Sequence, residues 1–226
     1  ATTEIYTLSL HDALPIYQRA LELSSQYDFI YASVGFHPTD AKNVTKDDLL
    51  HLETLLKADK VRAIGECGLD FYWDKEHIEQ QIAVFEHQIE LSKKYDLPLV
   101  IHMRDAQEKT YDVLKRHAPL KGVMHCYSGS KEMAERFLSL GLHISLGGPV
   151  TFKNAKVPKE VAKIVPSDKL LIETDAPYLT PHPYRGKQND SSFLPLIAKK
   201  IAELRDTSID DIAQLTTNNA IKLFNL

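Results

Sequence analysis

The sequence predicts an α/β fold of the TIM-type barrel class, incomplete at its N-terminus, and three observations support this. From Tyr17 onward, short apolar, β-branched runs alternate with longer amphipathic stretches, a pattern typical of parallel strands joined by helices. Acidic and imidazole residues stand at the ends of several predicted strands, where the catalytic groups of a barrel collect. The sequence also lacks the glycine-rich fingerprint of an open nucleotide-binding sheet.

Six strands are predicted, two fewer than a closed barrel requires, so we expect the first two strands to be missing. The predicted strands are residues 29–34, 61–66, 98–102, 122–126, 142–147 and 170–175. The helices are predicted from apolar residues three and four positions apart, as at Leu49, Leu52 and Leu56. They are residues 46–58, 75–95, 106–116, 131–140 and 158–164, followed by a helical tail at 193–205, 209–216 and 219–224.

The first sixteen residues, ATTEIYTLSLHDALPI, resemble the translation of a common short-read sequencing adapter. We therefore interpret residues 1–16 as an adapter-encoded artefact and exclude them from fold reasoning. The alternative is a short strand at residues 5–10, with His11 and Asp12 as a metal-binding or catalytic pair. The remaining residues, 17–226, are predicted to form a single domain.

Composition excludes some functional classes. The 226 residues carry 27 Lys and Arg against 31 Asp and Glu, a net charge of −4, which excludes a globally cationic nucleic-acid binder. No apolar run reaches the length of a membrane span and no signal peptide is recognisable, so we expect a cytoplasmic enzyme. Cys67 and Cys126, the only cysteines, are expected to be free, buried packing residues.

The polar residues at the strand ends predict a metal site. Glu66, His102, His125 and Asp175 stand at the ends of four separate predicted strands, so we expect them to converge. Imidazole and carboxylate groups gathered without compensating Arg or Lys residues suit a divalent cation. Strand alternation would place Glu173 on the same face as Asp175.

Six segments, in this order, resemble the motifs of the TatD family of metal-dependent deoxyribonucleases. They are GFHP at 35–38, GECGLD at 65–70, IHMRDA at 101–106, HCYSG at 125–129, GGPVTFKNA at 147–155 and ETDAPYLTP at 173–181. The resemblance implies an amidohydrolase-like barrel and a two-metal phosphodiesterase that removes nucleotides from DNA ends. It also implies Mg²⁺, Mn²⁺ or Zn²⁺ as cofactors and DNA or another phosphodiester as substrate.

The resemblance assigns roles to the four strand-end residues. Glu66 matches the carboxylate that bridges the two ions, and His102 and His125 match imidazole ligands of one ion. Asp175 matches the aspartate that binds the other ion and orients or deprotonates the attacking water. Glu66 and Asp175 are therefore the expected catalytic residues.

Four further residues are candidates for binding substrate. His37 and Arg185 match substrate or phosphate contacts, although Arg185 could equally be a solvated loop charge. Tyr72 and Trp73 could form a wall on which a base stacks, or could pack under a helix at the rim of the barrel.

The chain departs from the family pattern in two segments. No first strand ends in His-x-His, so we expect about one retained ion, bound by Glu66, His102 and His125, and impaired nuclease activity. The loop after Arg185 reads GKQND, whereas many members have an Arg followed by Asn-Glu-Pro. The alternatives left open are another hydrolase on the same barrel, such as an amidase, lactonase or deaminase, and an inactive fragment.

Overall fold

The computed structural model describes residues 4–7 and 13–226, and its contacts divide the chain into two compact units. Unit 1 comprises Ala1–Val123 and Phe224–Leu226, and unit 2 comprises Met124–Leu223. The strands are β1 Glu4–Thr7, β2 Ile30–Val34, β3 Val61–Asp70, β4 Leu99–Arg104, β5 Gly122–Met124, β6 His143–Leu146 and β7 Leu170–Ile172. The single-domain prediction for residues 17–226 stays a prediction.

The helices alternate with the strands, as the sequence pattern predicts. They are α1 Ala13–Gln26, α2 Lys46–Leu55, α3 Ile78–Tyr95, α4 Gln107–His117, α5 Lys131–Ser139, α6 Lys156–Ile164, α7 Leu194–Arg205 and α8 Ile209–Phe224. Within the described part of the chain, no helix has the length and apolar character needed to cross a membrane.

Unit 1 is built on parallel strands paired in the order β1, β2, β3 and β4. Helix α3 packs on β3 through an apolar face that contains the fully buried Phe85 and Ile89. The facing strand residues Ile64 and Leu99 are also fully buried, as expected for a parallel sheet covered by helices. This core fixes the strands whose carboxyl ends carry polar side chains.

Unit 2 contains the parallel pair β6 and β7, with Ile144 opposite Leu170. Helices α5 and α7 contribute the buried apolar residues Phe137 and Ile197. Asn219 on α8 donates hydrogen bonds to the carbonyls of Ser167 and Leu170, which ties this helix to the start of β7. Strand β7 is therefore held by its sheet neighbour β6 and, at its start, by α8.

Strand β3 is longer than predicted. The prediction ended it at Glu66, whereas it continues to Asp70 after a register shift between Ile64 and Cys67. Gly68 permits the continuation, because a Cβ atom there would lie 2.0 Å from the carbonyl oxygen of His102. Glu66 is therefore inside a strand, and the assumption that it terminates one is wrong.

Strands β5 and β7 are shorter than predicted, ending at Met124 and Ile172. The chain turns soon after each strand, and Cys126 and Asp175 adopt positive φ angles of 42° and 59°. Such angles are incompatible with extended strand geometry. The argument that strand alternation aligns Glu173 with Asp175 therefore does not apply.

Two elements near the N-terminus, β1 and α1, differ from the preferred prediction: a strand at residues 5–10 was only the alternative interpretation, and α1 was not predicted. The segment Glu4–Thr7, which overlaps the range excluded as adapter-encoded, pairs in parallel with β2, with Glu4 opposite Ile30. Its sequence, EIYT, has strong strand propensity, and pairing satisfies the backbone groups along the edge of β2. Exclusion from fold reasoning therefore missed a strand, and the adapter interpretation itself stays a prediction.

Candidate metal centre

In unit 1, four side chains form a cluster around His102 on β4. The Nδ1 atom of His102 lies 2.8 Å from Oε1 of Glu66, and Nε2 lies 2.9 Å from Oδ2 of Asp70. The ring of His37 stands edge-on to the His102 ring, with 4.4 Å between centroids. One potential ligand atom from each of His37, Asp70 and His102 lies within 4.8 Å of the others, a donor set that suits a divalent cation.

Two buried glutamines of α3 hold the segments that carry this cluster. Gln81 accepts from the backbone N–H of Asp70 at 2.9 Å and donates to its carbonyl at 3.1 Å. Gln88 makes the same pair of bonds with the backbone of Phe36, at 2.7 and 3.1 Å, next to His37. The seven-residue spacing places both amides on one face of the helix. One helix therefore fixes the backbone on both sides of the cluster.

Asp70 connects the cluster to an aromatic loop. Its Oδ1 accepts hydrogen bonds from the backbone N–H groups of Tyr72 and Trp73, at 2.9 and 2.8 Å, while its Oδ2 faces His102. The residue is fully buried. Burial alone would raise the pKa of Asp70, but the hydrogen bonds from His102, Trp73 and Tyr72 hold it below its ordinary value. Asp70 is therefore an ionised acceptor that orients the imidazole.

The pKa of His102 reflects its two carboxylate neighbours. Burial disfavours the charged imidazolium and would lower the pKa. Hydrogen bonds and charge attraction from Asp70 and Glu66 outweigh burial and raise the pKa of His102 to about 9. The imidazole is thus protonated at neutral pH in the metal-free protein. A metal ligand must be deprotonated, so a cation that binds here would displace a proton from His102.

Unit 2 contains a second group of the same chemistry around His125, directly after β5. Its Nδ1 lies 3.0 Å from Oε2 of Glu173, and its Nε2 lies 3.3 Å from Oδ1 of Asp175. The other carboxylate oxygen of Glu173 is buried and has no hydrogen-bond partner among the described residues. An unsatisfied buried carboxylate oxygen is costly, and a cation would satisfy it. Glu173 is therefore a candidate cation ligand, although its carboxylate and that of Asp175 approach opposite nitrogens of His125.

The predicted ligands fall into two pairs, one in each unit. Glu66 meets His102 in unit 1, and His125 meets Asp175 in unit 2. The convergence of all four residues stays a prediction, as does each of their roles. Asp70 was missed because the predicted strand stopped at Glu66. Had the strand been extended, alternation would have placed residues 66 and 70 on one face. His11 and Asp12 lie outside the described residues.

The predicted substrate contacts lie in loops that follow strands. Tyr72 and Trp73 are 51% and 67% exposed and meet edge to face, which leaves ring surface open to solvent. The guanidinium of Arg104 lies 4.0 Å from the Tyr72 ring and 5.5 Å from the Trp73 ring. In unit 2, the Arg185 guanidinium lies 4.3 Å from the ring of Phe152.

The cysteines are both free. Cys67 is buried, as predicted, and burial raises the pKa of its thiol far above the ordinary value. Cys126 is only half-buried, so the prediction of a buried packing residue is wrong for it. The physical reason is that β5 ends before this residue, which lies in the turn that follows.

Comparison with known proteins shows close similarity to one family. The profile of the family described as TatD related DNase matches residues 4–225. The uncharacterized metal-dependent hydrolase YabD of Bacillus subtilis is 49% identical over 214 residues, which cover 94% of this chain and 84% of YabD. The uncharacterized metal-dependent hydrolase YcfH of Escherichia coli K12 is 35% identical, with 98% of this chain and 83% of YcfH covered.

A solved structure shows the same architecture. The crystal structure of YjjV, a TatD homologue from Escherichia coli K12, superposes with a TM-score of 0.90 and 35% sequence identity. The match covers 98% of this chain and 86% of YjjV. The fold class predicted from the sequence, a partial α/β barrel, is thereby confirmed.

Proposed function

This chain belongs to the TatD family of metal-dependent hydrolases, and from that premise we propose that it hydrolyses the phosphodiester bonds of DNA. The proposed activity is exonuclease-like, with metal-activated water as the nucleophile. The observation that carries the proposal is the position of His102 between two carboxylates, beside an exposed aromatic loop. This arrangement combines a cation-binding group with a surface on which a base can stack.

The residues that would hold divalent metal are those of the two groups. In unit 1 the geometry groups His37, Asp70 and His102, and the family resemblance adds Glu66. In unit 2 the candidates are His125, Glu173 and Asp175. A bound divalent ion lowers the pKa of its water and stabilises the negative charge that develops on the phosphoryl oxygens. The family resemblance implies two such ions, drawn from Mg²⁺, Mn²⁺ or Zn²⁺.

The protein's own groups orient and accept protons. Asp70 holds the His102 ring by one oxygen and the aromatic loop by the other, so the imidazole cannot rotate freely. Asp175 has a side chain that is 32% exposed, which allows it to reach solvent and accept the proton of an attacking water. Glu66 contacts the opposite nitrogen of His102, and the family resemblance implies that it is a further metal ligand.

The aromatic loop supplies a surface for the base of a nucleotide. Tyr72 and Trp73 offer exposed rings, and stacking on such rings is tolerant of base identity. Arg104 follows His102 by two residues on β4 and lies against both rings. Its guanidinium can contact a phosphate while the neighbouring base stacks. Proteins that bind single-stranded nucleic acid commonly combine basic groups with aromatic stacking surfaces in this way.

Comparison of substrate classes in one assay tests the proposal. A single-stranded deoxyoligonucleotide, an amide and a lactone are offered with Mg²⁺, Mn²⁺ or Zn²⁺, and again with chelator. We expect the oligonucleotide to be cleaved fastest, cleavage to stop with chelator, and His102→Asn to lose at least tenfold in rate. His77→Asn is the matched control, since His77 also contacts a carboxylate but lies outside the cluster. Metal-dependent cleavage of the amide or lactone without the oligonucleotide would contradict the proposal.

A further inference from the structure

A cavity in unit 2 lies apart from the groups already assigned to metal. Its volume is about 430 Å³, within the range of roughly 300 to 1,000 Å³ that is typical of small-ligand sites. The cavity is lined by Phe152, Lys153, Asn154, Ala155, His182 and Arg185. Its wall thus contains two permanent cations, a histidine and a side-chain amide, and no acidic residue.

Two loops build this cavity, and both leave the carboxyl ends of neighbouring strands. Residues 152–155 follow β6, whereas His182 and Arg185 follow β7. Because β6 and β7 are parallel, their following loops lie at the same edge of the sheet. Asp175, in the candidate metal group, belongs to this same loop after β7. The cavity and Asp175 therefore share the edge where ligands of parallel-strand proteins bind.

The two loops are held together by close contacts. The backbone N–H of His182 donates to Oγ1 of Thr151 at 2.8 Å. Gly148 allows the approach, since a Cβ atom there would lie 1.8 Å from the carbonyl oxygen of Leu179. The amide of Asn189 donates to the carbonyls of Thr174 and Tyr178, which fixes the start of the second loop. Specific hydrogen bonds therefore fix the two loops that form the cavity wall.

The packing of the Arg185 guanidinium on Phe152 leaves its N–H groups available for hydrogen bonds to a ligand. Its guanidinium stacks 4.3 Å from the Phe152 ring, which orients the plane without using the edge N–H groups. Among the residues that the structure describes, neither Arg185 nor Lys153 forms an ion pair with a carboxylate. Two cations in one cavity wall repel each other, and a bound anion would offset this repulsion.

From these observations we propose that the cavity is a phosphate subsite, which binds a phosphate group of a nucleotide strand. Lys153 supplies a point charge, and Arg185 supplies a planar fork that matches two phosphate oxygens. His182 and Asn154 line the same cavity and can add neutral hydrogen bonds. The inference rests on the proposed function and extends it, because it gives the strand a second anchoring point on the loop that carries Asp175.

Binding to an oligonucleotide that resists hydrolysis tests the subsite. The 226-residue chain, with Mg²⁺ present, is titrated with a phosphorothioate-linked deoxyoligonucleotide at several salt concentrations. We expect the Lys153→Gln/Arg185→Gln variant to bind at least tenfold more weakly than wild type at low salt. Its slope of log affinity against log salt should fall by about 0.7, the value for one phosphate contact on a single strand.

A matched control removes the same charge elsewhere in unit 2. Lys199→Gln/Lys222→Gln deletes two exposed lysines on α7 and α8, outside the cavity wall. We expect this control to bind like wild type. Equal affinity and equal salt slope for the cavity variant and the control would overturn the proposal. Should the double cavity variant lose its folded circular dichroism spectrum, the exposed single substitution Lys153→Gln answers the same question.

Two sources of phosphate are separated by end modification. Oligonucleotides with a 5′-phosphate, a 3′-phosphate or no terminal phosphate are compared on wild type and variant. If the variant loses affinity only for the oligonucleotide phosphorylated at one end, the cavity binds a terminal phosphate monoester. If it loses affinity equally for all three oligonucleotides, the cavity binds an internal phosphodiester. Wild type that cleaves no diester but shows the cavity-dependent binding would contradict only the proposed hydrolysis, because this assay requires no turnover.

Discussion

Asp70→Asn is the substitution that most sharply separates orientation from charge in unit 1. The amide oxygen can still accept from the N–H groups of Tyr72 and Trp73, so the loop keeps its anchor. The amide nitrogen would face Nε2 of His102 in place of a carboxylate oxygen. The variant therefore loses one charge-assisted hydrogen bond while its shape is conserved.

The magnitude follows from that single bond. A hydrogen bond to a charged group contributes about 1.5–3 kcal/mol, so we expect the metal-free variant to lose about 2 kcal/mol of unfolding free energy. In a chain of this size that corresponds to about 4–8 °C in Tm. The pKa of His102 should fall from about 9 towards its ordinary value, since Asp70 is one of the two groups that raise it.

Metal affinity of the variant then depends on pH, because Asp70 raises the pKa of a histidine that must lose its proton to bind metal. Near pH 9.5 the His102 proton no longer competes, and the variant should bind Mg²⁺ about 10- to 100-fold more weakly than wild type. At pH 7 the difference should shrink, because the lower pKa of His102 in the variant relieves proton competition. Isothermal titration gives the affinities, and NMR titration of the imidazole gives the pKa of His102.

Asp74→Asn is the control for this comparison. Asp74 also accepts from backbone N–H groups and contacts a histidine, His77, but it lies outside the cluster. We expect its metal affinity to equal that of wild type at both pH values. The reasoning fails if Asp70→Asn binds Mg²⁺ as Asp74→Asn does and leaves the pKa of His102 at about 9.

Three other predictions concern stability. Because the pKa of His102 is raised on folding, its charge stabilises the folded state fully below pH 6.5, and this stabilisation is lost as the pH rises through about 9. Metal-free protein should therefore lose up to about 3 kcal/mol of unfolding free energy between pH 6.5 and 9. Denaturant melts at several pH values measure this loss, which should be absent in His102→Asn. Gly68→Ala should cost more than about 3 kcal/mol, because the added Cβ meets backbone, whereas Gly186→Ala has open space and should cost about 1 kcal/mol in the same melts. Thr45→Ala should cost about 0.5–2 kcal/mol, since it breaks the reciprocal cap with Asp48, and an unchanged melting curve would contradict the cap's role.

The six predicted strands correspond to β2 to β7 because hydrophobic patterning is a local property of the sequence. The strand ends were less predictable. The extension of β3 depends on how Gly68 packs against His102. The early end of β7 belongs with the turn that follows it, in which Asp175 has a positive φ. Neither is encoded in the periodicity of apolar residues.

The sequence predicted which types of residue form the candidate site, but it identified only some of the individual residues. His102 and Glu66 were found because imidazole and carboxylate groups follow apolar runs. Asp70 was missed because its role depends on a strand extension, and the support from Gln81 and Gln88 appears only when α3 is packed on β3. From sequence alone, polar residues on a helix are predicted to be exposed to solvent, and only the tertiary structure shows that these two glutamines are buried.

The central claim is that His102 is a ligand in a divalent metal site. The most direct test is metal binding by the purified chain. Wild type, His102→Asn and the control His77→Asn are titrated with Mg²⁺, Mn²⁺ and Zn²⁺ by isothermal calorimetry at fixed pH. The account predicts that at least one of these ions binds wild type and His77→Asn equally and binds His102→Asn at least tenfold more weakly. Equal binding by His102→Asn and His77→Asn, for every ion that binds, would contradict the claim.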